Sequence, residues 1–185
     1  MKRWKKALPL ILLLLVLAGL LLAYYILTHP KETGEETAPG TEMLLGGLTA
    51  DRIAEISYET EEGTGTHFRR EGEKWVIPEE PEIEPDSQKV YAFCAGTTGV
   101  GLKRVIENAS GELEKFGLAV PFVTVKITDT DGKETEMRIS RTFPSANVVY
   151  IMLNGDPSRI YVCAPSVRAN FEKTPEDFLP DASGP

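Results

Sequence analysis

An uncharged run from Leu8 to Leu27, entered through Lys2-Arg3-Trp4-Lys5-Lys6, constrains this chain more than any other feature. At 1.5 Å per residue a helix of that length reaches about 30 Å, the thickness of a bilayer's hydrocarbon core. Fourteen of its twenty residues are Leu, Ile or Val. At about −0.3 to −0.6 kcal/mol each near the helix centre, they contribute about −4 to −8 kcal/mol to insertion, and no charge opposes them. Residues 8–27 are therefore expected to form a transmembrane anchor in contact with the lipid bilayer. The competing reading is a cleaved secretory signal, whose apolar region is about 7 to 15 residues long and ends in small side chains. Leu22-Ala23-Tyr24-Tyr25-Ile26-Leu27 is bulky instead, and no Cys precedes Cys94 to take a lipid.

Lys2, Arg3, Lys5 and Lys6 precede the run, and Glu32, Glu35 and Glu36 follow it. The positive-inside rule then keeps residues 1–7 as a cytoplasmic basic tail and exports the remainder of a single-pass plasma-membrane protein. Trp4 on one side and Tyr24 and Tyr25 on the other fit interfacial aromatic positions. Without its four N-terminal cations the chain keeps 16 basic against 28 acidic residues, a charge of about −12 on the exported part. Such a charge repels phosphate backbones, so nucleic acid is not an expected partner, and it reads first as a solvated surface.

From Thr28 to about Gly47, Thr, Glu, Gly and Pro predominate without apolar periodicity, which describes a flexible stalk over 28–47. Residues 48–178 suffice for one extracytoplasmic domain with its own core, and 179–185 are expected to be a disordered tail. Ile53 to Thr60 alternates, with Ala54, Ile56 and Tyr58 on one face, as a half-buried strand does. Thr66 to Arg70 and Trp75-Val76-Ile77 follow as strands across turn residues, with Trp75 as a core anchor. The proline-broken acids from Glu79 to Asp86 should run extended and exposed. Asp86 or Ser87 then caps a helix through about Ala95 that ends at Gly96-Thr97-Thr98-Gly99.

A strand from Leu102 to Ile106 comes next, and Glu112 to Phe116 makes one helical turn closed by Gly117. Val123 to Ile127 and Met137 to Ile139 flank the hairpin signal Asp131-Gly132; Val148 to Leu153 and Ile160 to Cys163 flank Asn154-Gly155-Asp156-Pro157-Ser158. A short helix from about Ser166 to Phe171 comes last. The class is α+β: an N-terminal transmembrane helix, then one domain of mostly antiparallel hairpins with two or three short helices. Each half opens on a hairpin, a hint of a duplicated unit.

Catalytic and metal motifs are sparse. Gly96-Thr97-Thr98-Gly99-Val100-Gly101 follows a helix and lacks the Gly-Lys-Ser/Thr ending of a phosphate loop, so it reads as loop chemistry. Asp129-Thr130-Asp131-Gly132 starts like a calcium loop, but no Glu closes the frame, so it reads as a hairpin turn. His29 and His67 are the only histidines, with no nucleophile motif near them. No catalytic residue, cofactor or metal is assigned. Cys94 and Cys163 leave two readings. A bridge, which export permits, would enclose about 69 residues and contribute about 4 kcal/mol. The neighbours Phe93 and Val162 favour free thiols buried as small core residues.

The order of signals resembles one family. Ile53-Ala54-Glu55-Ile56, then Gly72-Glu73-Lys74-Trp75-Val76-Ile77, Pro85-Asp86 before a helix, and Phe116-Gly117-Leu118 with Pro121 come in succession. Val149-Tyr150, Ile160-Tyr161-Val162 and Glu176-Asp177-Phe178 close it. This is similar to the family catalogued as domain of unknown function 4340, which departs from this chain in commonly having Tyr at the place of Phe116 and Gly at that of Ser140. The resemblance implies a membrane-tethered accessory module beside a gliding-motility-type ABC transporter, and it supplies no catalytic residues. Together with the anchor, it gives the expectation of a single-pass extracytoplasmic binding or assembly module with a membrane-protein partner. The alternative is a cell-envelope ligand sensor or carbohydrate-binding module, which needs a concave pocket with exposed aromatics such as Tyr58 or Tyr91. An enzyme would require His67 to meet an acid or a nucleophile in three dimensions.

Overall fold

A computed structural model describes residues 42–143 and 146–181. The run 8–27, its flanking Lys2, Arg3, Lys5 and Lys6, and the aromatics Trp4, Tyr24 and Tyr25 lie outside the described residues, as does most of the stalk. Among the described residues no helix is long and apolar enough to cross a membrane.

Eight strands form the sheet: β1 (Ile53–Thr60), β2 (Gly65–Glu71), β3 (Lys74–Val76), β4 (Leu102–Glu107), β5 (Val123–Asp129), β6 (Glu134–Ile139), β7 (Val149–Leu153) and β8 (Arg159–Cys163). Their spatial order is β3-β2-β1-β5-β6-β7-β8-β4, and every neighbouring pair is antiparallel. The meanders β1–β2–β3 and β5–β6–β7 fan out in matching order on either side of the central β1–β5 pair. β4 and β8 lie side by side at one edge and break that match. Helix α1 (Ser87–Thr98) carries the chain from the β3 edge to the β4 edge, and the short α2 (Ser166–Ala169) follows β8.

Period-2 alternation sorts side chains onto two faces. One face gathers Ile56, Tyr58, Phe68, Val125, Ile127, Met137, Ile139 and Ile151 against α1. The helix meets it through Phe93, whose ring lies 5.3 Å from Tyr58, 5.6 Å from Phe171 and 5.3 Å from Phe178. Phe68 completes the group, 4.7 Å from Phe178 in an edge-to-face pair. The opposite face is apolar only at its β7–β8 end. There Met152 and Ile160 pack with Ala109, Phe116 and Leu118.

That second cluster explains several of the signature residues. Glu112 to Phe116 makes the expected turn, and Gly117 closes it at φ 66° with the Leu118 amide bonded to the Leu113 carbonyl at 2.8 Å. The Phe116 ring meets Tyr150 at 5.0 Å, a contact that needs no hydroxyl. Ser140, fully buried, has its hydroxyl used twice: it donates to the Arg141 carbonyl at 2.8 Å and accepts from the Tyr150 amide at 2.9 Å. Trp75 is buried as the core anchor, Pro85 is buried just before α1, and the Asp86 carboxylate caps α1 by accepting from the Gln88 amide at 2.8 Å. Tyr161 packs half-buried against the main core, and Pro121 is half-buried at the entry to β5.

Three expectations change. The helix does not stop at Gly96 but runs to Thr98. Gly96 is a packing glycine: a Cβ there would lie 2.9 Å from the side-chain oxygen of Asn170, whose amide donates to the Phe93 carbonyl at 3.0 Å and to Thr97 Oγ1 at 2.8 Å. Thr97 and Thr98 in turn donate back to the carbonyls of Phe93 and Cys94, one turn earlier. Packing and side-chain bonding hold a last turn that propensity alone would end. Second, Glu79 to Asp86 is not simply extended. It makes two reverse turns, with the Ile83 amide on the Glu80 carbonyl at 3.0 Å and Ile83 packed on the core. Third, the packed chain starts upstream of Leu48: Leu44 is buried, its amide bonds the Val100 carbonyl at 2.9 Å, and Leu102 bonds back to Glu42. Leu179 and Asp181, placed in the tail, both receive Lys89 Nζ at 2.7 Å.

Phe93 sits where the helix, the sheet and the C-terminal segment meet. Phe93→Ala is expected to lower unfolding free energy by about 3 to 5 kcal/mol, read from urea denaturation of the purified chain. A loss below about 1 kcal/mol would mean that the aromatic cluster is not the joint described.

Candidate functional site

β3 pairs with only three residues of β2, Arg69, Arg70 and Glu71. Continuing that register would set Ile77 against Phe68 and Pro78 against His67. Pro78 has no N–H with which to extend the ladder, and the chain turns away at once, the Glu80 amide bonding the Ile77 carbonyl at 3.0 Å. The outer side of Gly65–Phe68 is thereby left without a β3 neighbour. It opens into a groove of about 510 Å³.

The groove floor includes Gly65, Thr66 and His67. Gly65 is fixed by close approach, because a Cβ there would lie 2.0 Å from the Tyr58 carbonyl oxygen. Ile77, Ile83 and Leu179 give the lining an apolar side. Glu59, Glu79, Glu80 and Glu176 give it a negative rim, against a single lysine, Lys126.

His67 lies between two carboxylates. Its Nε2 is 2.5 Å from Glu55 on β1, and its Nδ1 is 2.8 Å from Glu79 on the segment after β3. Only an imidazolium donates through both nitrogens, so making both bonds at once requires a protonated ring or a proton shared with one carboxyl. The bond from His67 holds the Glu79 carboxyl below the ordinary Glu range. His67 thus meets the acids that the enzyme reading demanded. Its cross-strand neighbour Ser57 shares the face, yet both ring nitrogens are already engaged by carboxylate oxygens and neither is left to accept a serine proton. The arrangement clamps the segment after β3 to the sheet.

The other candidate motifs are structural in place. Asp129 Oδ1 accepts from the amides of Asp131 and Lys133, each at 2.9 Å, and these bonds, the Lys133 one first, lower its pKa. Arg52 pairs with Asp131 and, at 3.8 Å, with Asp129. Among the described residues no group of three metal-ligating side chains is found. The Gly96–Gly101 segment comprises the last turn of α1 and the connection to β4, beside Ala164 and Val167. Tyr58, named for a carbohydrate platform, is 3 % exposed, its hydroxyl donates to the Lys173 carbonyl at 2.8 Å, and burial, then the charge of Asp177, pushes its pKa up to about 12. Tyr91 is half exposed on α1 and does not line the groove. Cys94 and Cys163 are free and fully buried rather than bridged, and burial pushes each thiol up to about 12.

None of the signature residues Trp75, Pro85, Asp86, Phe116, Gly117, Leu118, Pro121, Tyr150 and Tyr161 lines the groove. They hold the fold, whereas the groove takes in Tyr58 and His67, both named from the sequence, and sets them beside Glu59, Gly65, Ile83 and Lys126. Pro78, two residues past the end of the short β3, is the sequence signal for it.

Two measurements follow. Iodoacetamide applied without reductant should leave both thiols unmodified in the native chain and alkylate two per chain in denaturant, because thiolate is the reactive form and both thiols are held neutral; fewer than two in denaturant would restore the bridge. A carboxyl whose folded pKa is depressed adds stability above its unfolded pKa and loses it as pH falls through the folded one. The Glu79 contribution is therefore present at neutral pH and disappears on acidification below the ordinary carboxylate range. ¹³C titration of Glu79 should show its pKa rising in His67→Asn; an unchanged midpoint would remove the clamp.

The sequence model of the family described as domain of unknown function (DUF4340) matches residues 75–182, more than half of the 185-residue chain. The match begins at Trp75 and takes in every later signal of the series, while Ile53-Ala54-Glu55-Ile56 precedes it. No curated protein and no solved structure matches the chain. With its closing strands and its Trp75, Pro85-Asp86 and Phe116-Gly117-Leu118 signals all inside the matched span, the chain belongs to the DUF4340 family.

Proposed function

We propose that this chain is a single-pass membrane-anchored extracytoplasmic binding or assembly module that serves an ABC-type transport system. The observation that carries the binding role is the groove at β2, a sheet edge left open by Pro78 and rimmed with carboxylates. A sheet edge with unpaired backbone groups is a template for another chain. The membrane placement rests on the sequence: a 20-residue uncharged run behind four cations. The transporter association rests on the family resemblance. Tethering confines the domain to the neighbourhood of the membrane, which raises its effective concentration toward membrane-bound partners over any soluble one.

The binding reading is supported over the alternatives by the groove's edge and rim; Tyr58 is buried, Tyr91 stands exposed outside the groove, and both nitrogens of His67 are bonded to carboxylates. Two results test the proposal together. Protease added outside intact spheroplasts should degrade the chain from the stalk onward while a cytosolic marker survives. Crosslinking in native membranes followed by affinity capture should recover an ATPase or permease subunit. Full protection of the chain would contradict the topology, and capture that yields neither subunit would contradict the transporter role.

A further inference from the structure

The two edges of the sheet are treated differently. At β4 a bulge interrupts the register between Leu102 and Arg104, Lys103 stands on the strand, and Met43 bridges Gly101 at its start. Bulges, edge lysines and covering segments are devices that stop one sheet from pairing with another. Over Gly65–Phe68 β2 has no such bulge and no lysine. Its pairing with β3 ends at Arg69, and a groove takes the place of the next strand.

We infer that this edge receives an extended segment of a partner chain as an added strand, and that the segment alternates basic with apolar residues. The inference rests on the binding role proposed above and names its surface and the chemistry of its partner. Side chains of an added strand point alternately to the two faces of the sheet. On the His67 face stand Glu59 and Glu79; toward the Phe68 face stand Ile77 and Ile83, which pack on the core, with Leu179. Glu59 and Glu80 form no ion pair among the described residues, so their charge is open to an incoming cation. Charge complementarity selects Lys or Arg on one side of the strand, and the apolar wall selects Val, Ile or Leu on the other. Main-chain hydrogen bonds to the edge supply affinity that depends on no single side chain.

The probe is the fluorescein-labelled peptide acetyl-Lys-Val-Lys-Val-Lys-Val-Lys-amide, titrated by anisotropy into the full chain in nonionic micelles. Saturable binding is expected, weakened about tenfold or more in the double variant Glu59→Lys/Glu80→Lys, whose fold is checked by circular dichroism. An added strand uses only one alternate set of its amides against the edge. N-methylation of one set should therefore abolish binding while methylation of the other is tolerated. No saturable binding, or binding equally indifferent to both methylations, would overturn the inference, the latter by reducing it to charge attraction. Membrane capture with the same double variant separates this from the role proposed above. If transporter subunits are still recovered while the peptide fails to bind, the tethered module stands without the β2 edge; if the peptide binds as described and no membrane protein is recovered, the edge stands and the transporter role falls.

Discussion

Phe93 is the joint on which the described fold depends. It projects from the middle of α1 into Tyr58 and Phe68 of the first hairpin and Phe171 and Phe178 of the C-terminal segment. Aromatic edge-to-face pairs are directional as well as apolar, so this cluster fixes angles as well as distances. Lys173 caps it from outside, its ammonium 5.9 Å from the Phe93 ring and 5.5 Å from Phe178. The end of the chain is held to the start of α1 by the Asp86 amide on the Phe178 carbonyl at 2.8 Å. Elements far apart in sequence are thus locked to one face of the sheet.

That lock has a consequence for the other features. Because Phe178 is anchored on Phe68, Leu179 and Glu176 are set beside the groove, and the 3₁₀ turn Pro175–Phe178 becomes one of its walls. Because Pro78 ends β3, the opposite wall is the turning segment that carries Glu79, Glu80 and Ile83. His67 then ties that segment to the sheet through Glu79. The groove is a product of three local facts: an aromatic anchor, a missing N–H and a carboxylate clamp.

Much of the fold was legible because its signals were local. Alternation in Ile53–Thr60 and Val123–Asp129, the Asp131-Gly132 and Asn154-Gly155 turns, and the Asp86 cap each follow from neighbours in sequence, and each is found in place. The end of α1 was misplaced because Gly96 answers to Asn170, 74 positions away and invisible to a local reading. The packed chain starts earlier than its local pattern suggests because Leu44 pairs with Val100, across three strands and α1. The groove escaped for a related reason: Glu55, His67 and Glu79 belong to three different segments and meet only through strand register. The sheet order, with β5 beside β1 and β4 beside β8, has no local signature either.

β2 is paired with β1 from Gly65 to Arg69, but its other side is open over Gly65–Phe68, past the end of β3. Residue-resolved amide hydrogen exchange on the full chain tests this openness without a ligand. Amides of β1 and β5, paired on both sides, should be the slowest to exchange, and the outward-facing amides of Gly65–Phe68 should exchange far faster although they belong to the same sheet. Protection of Gly65–Phe68 equal to that of β1 would show that the edge is already covered and would contradict the account.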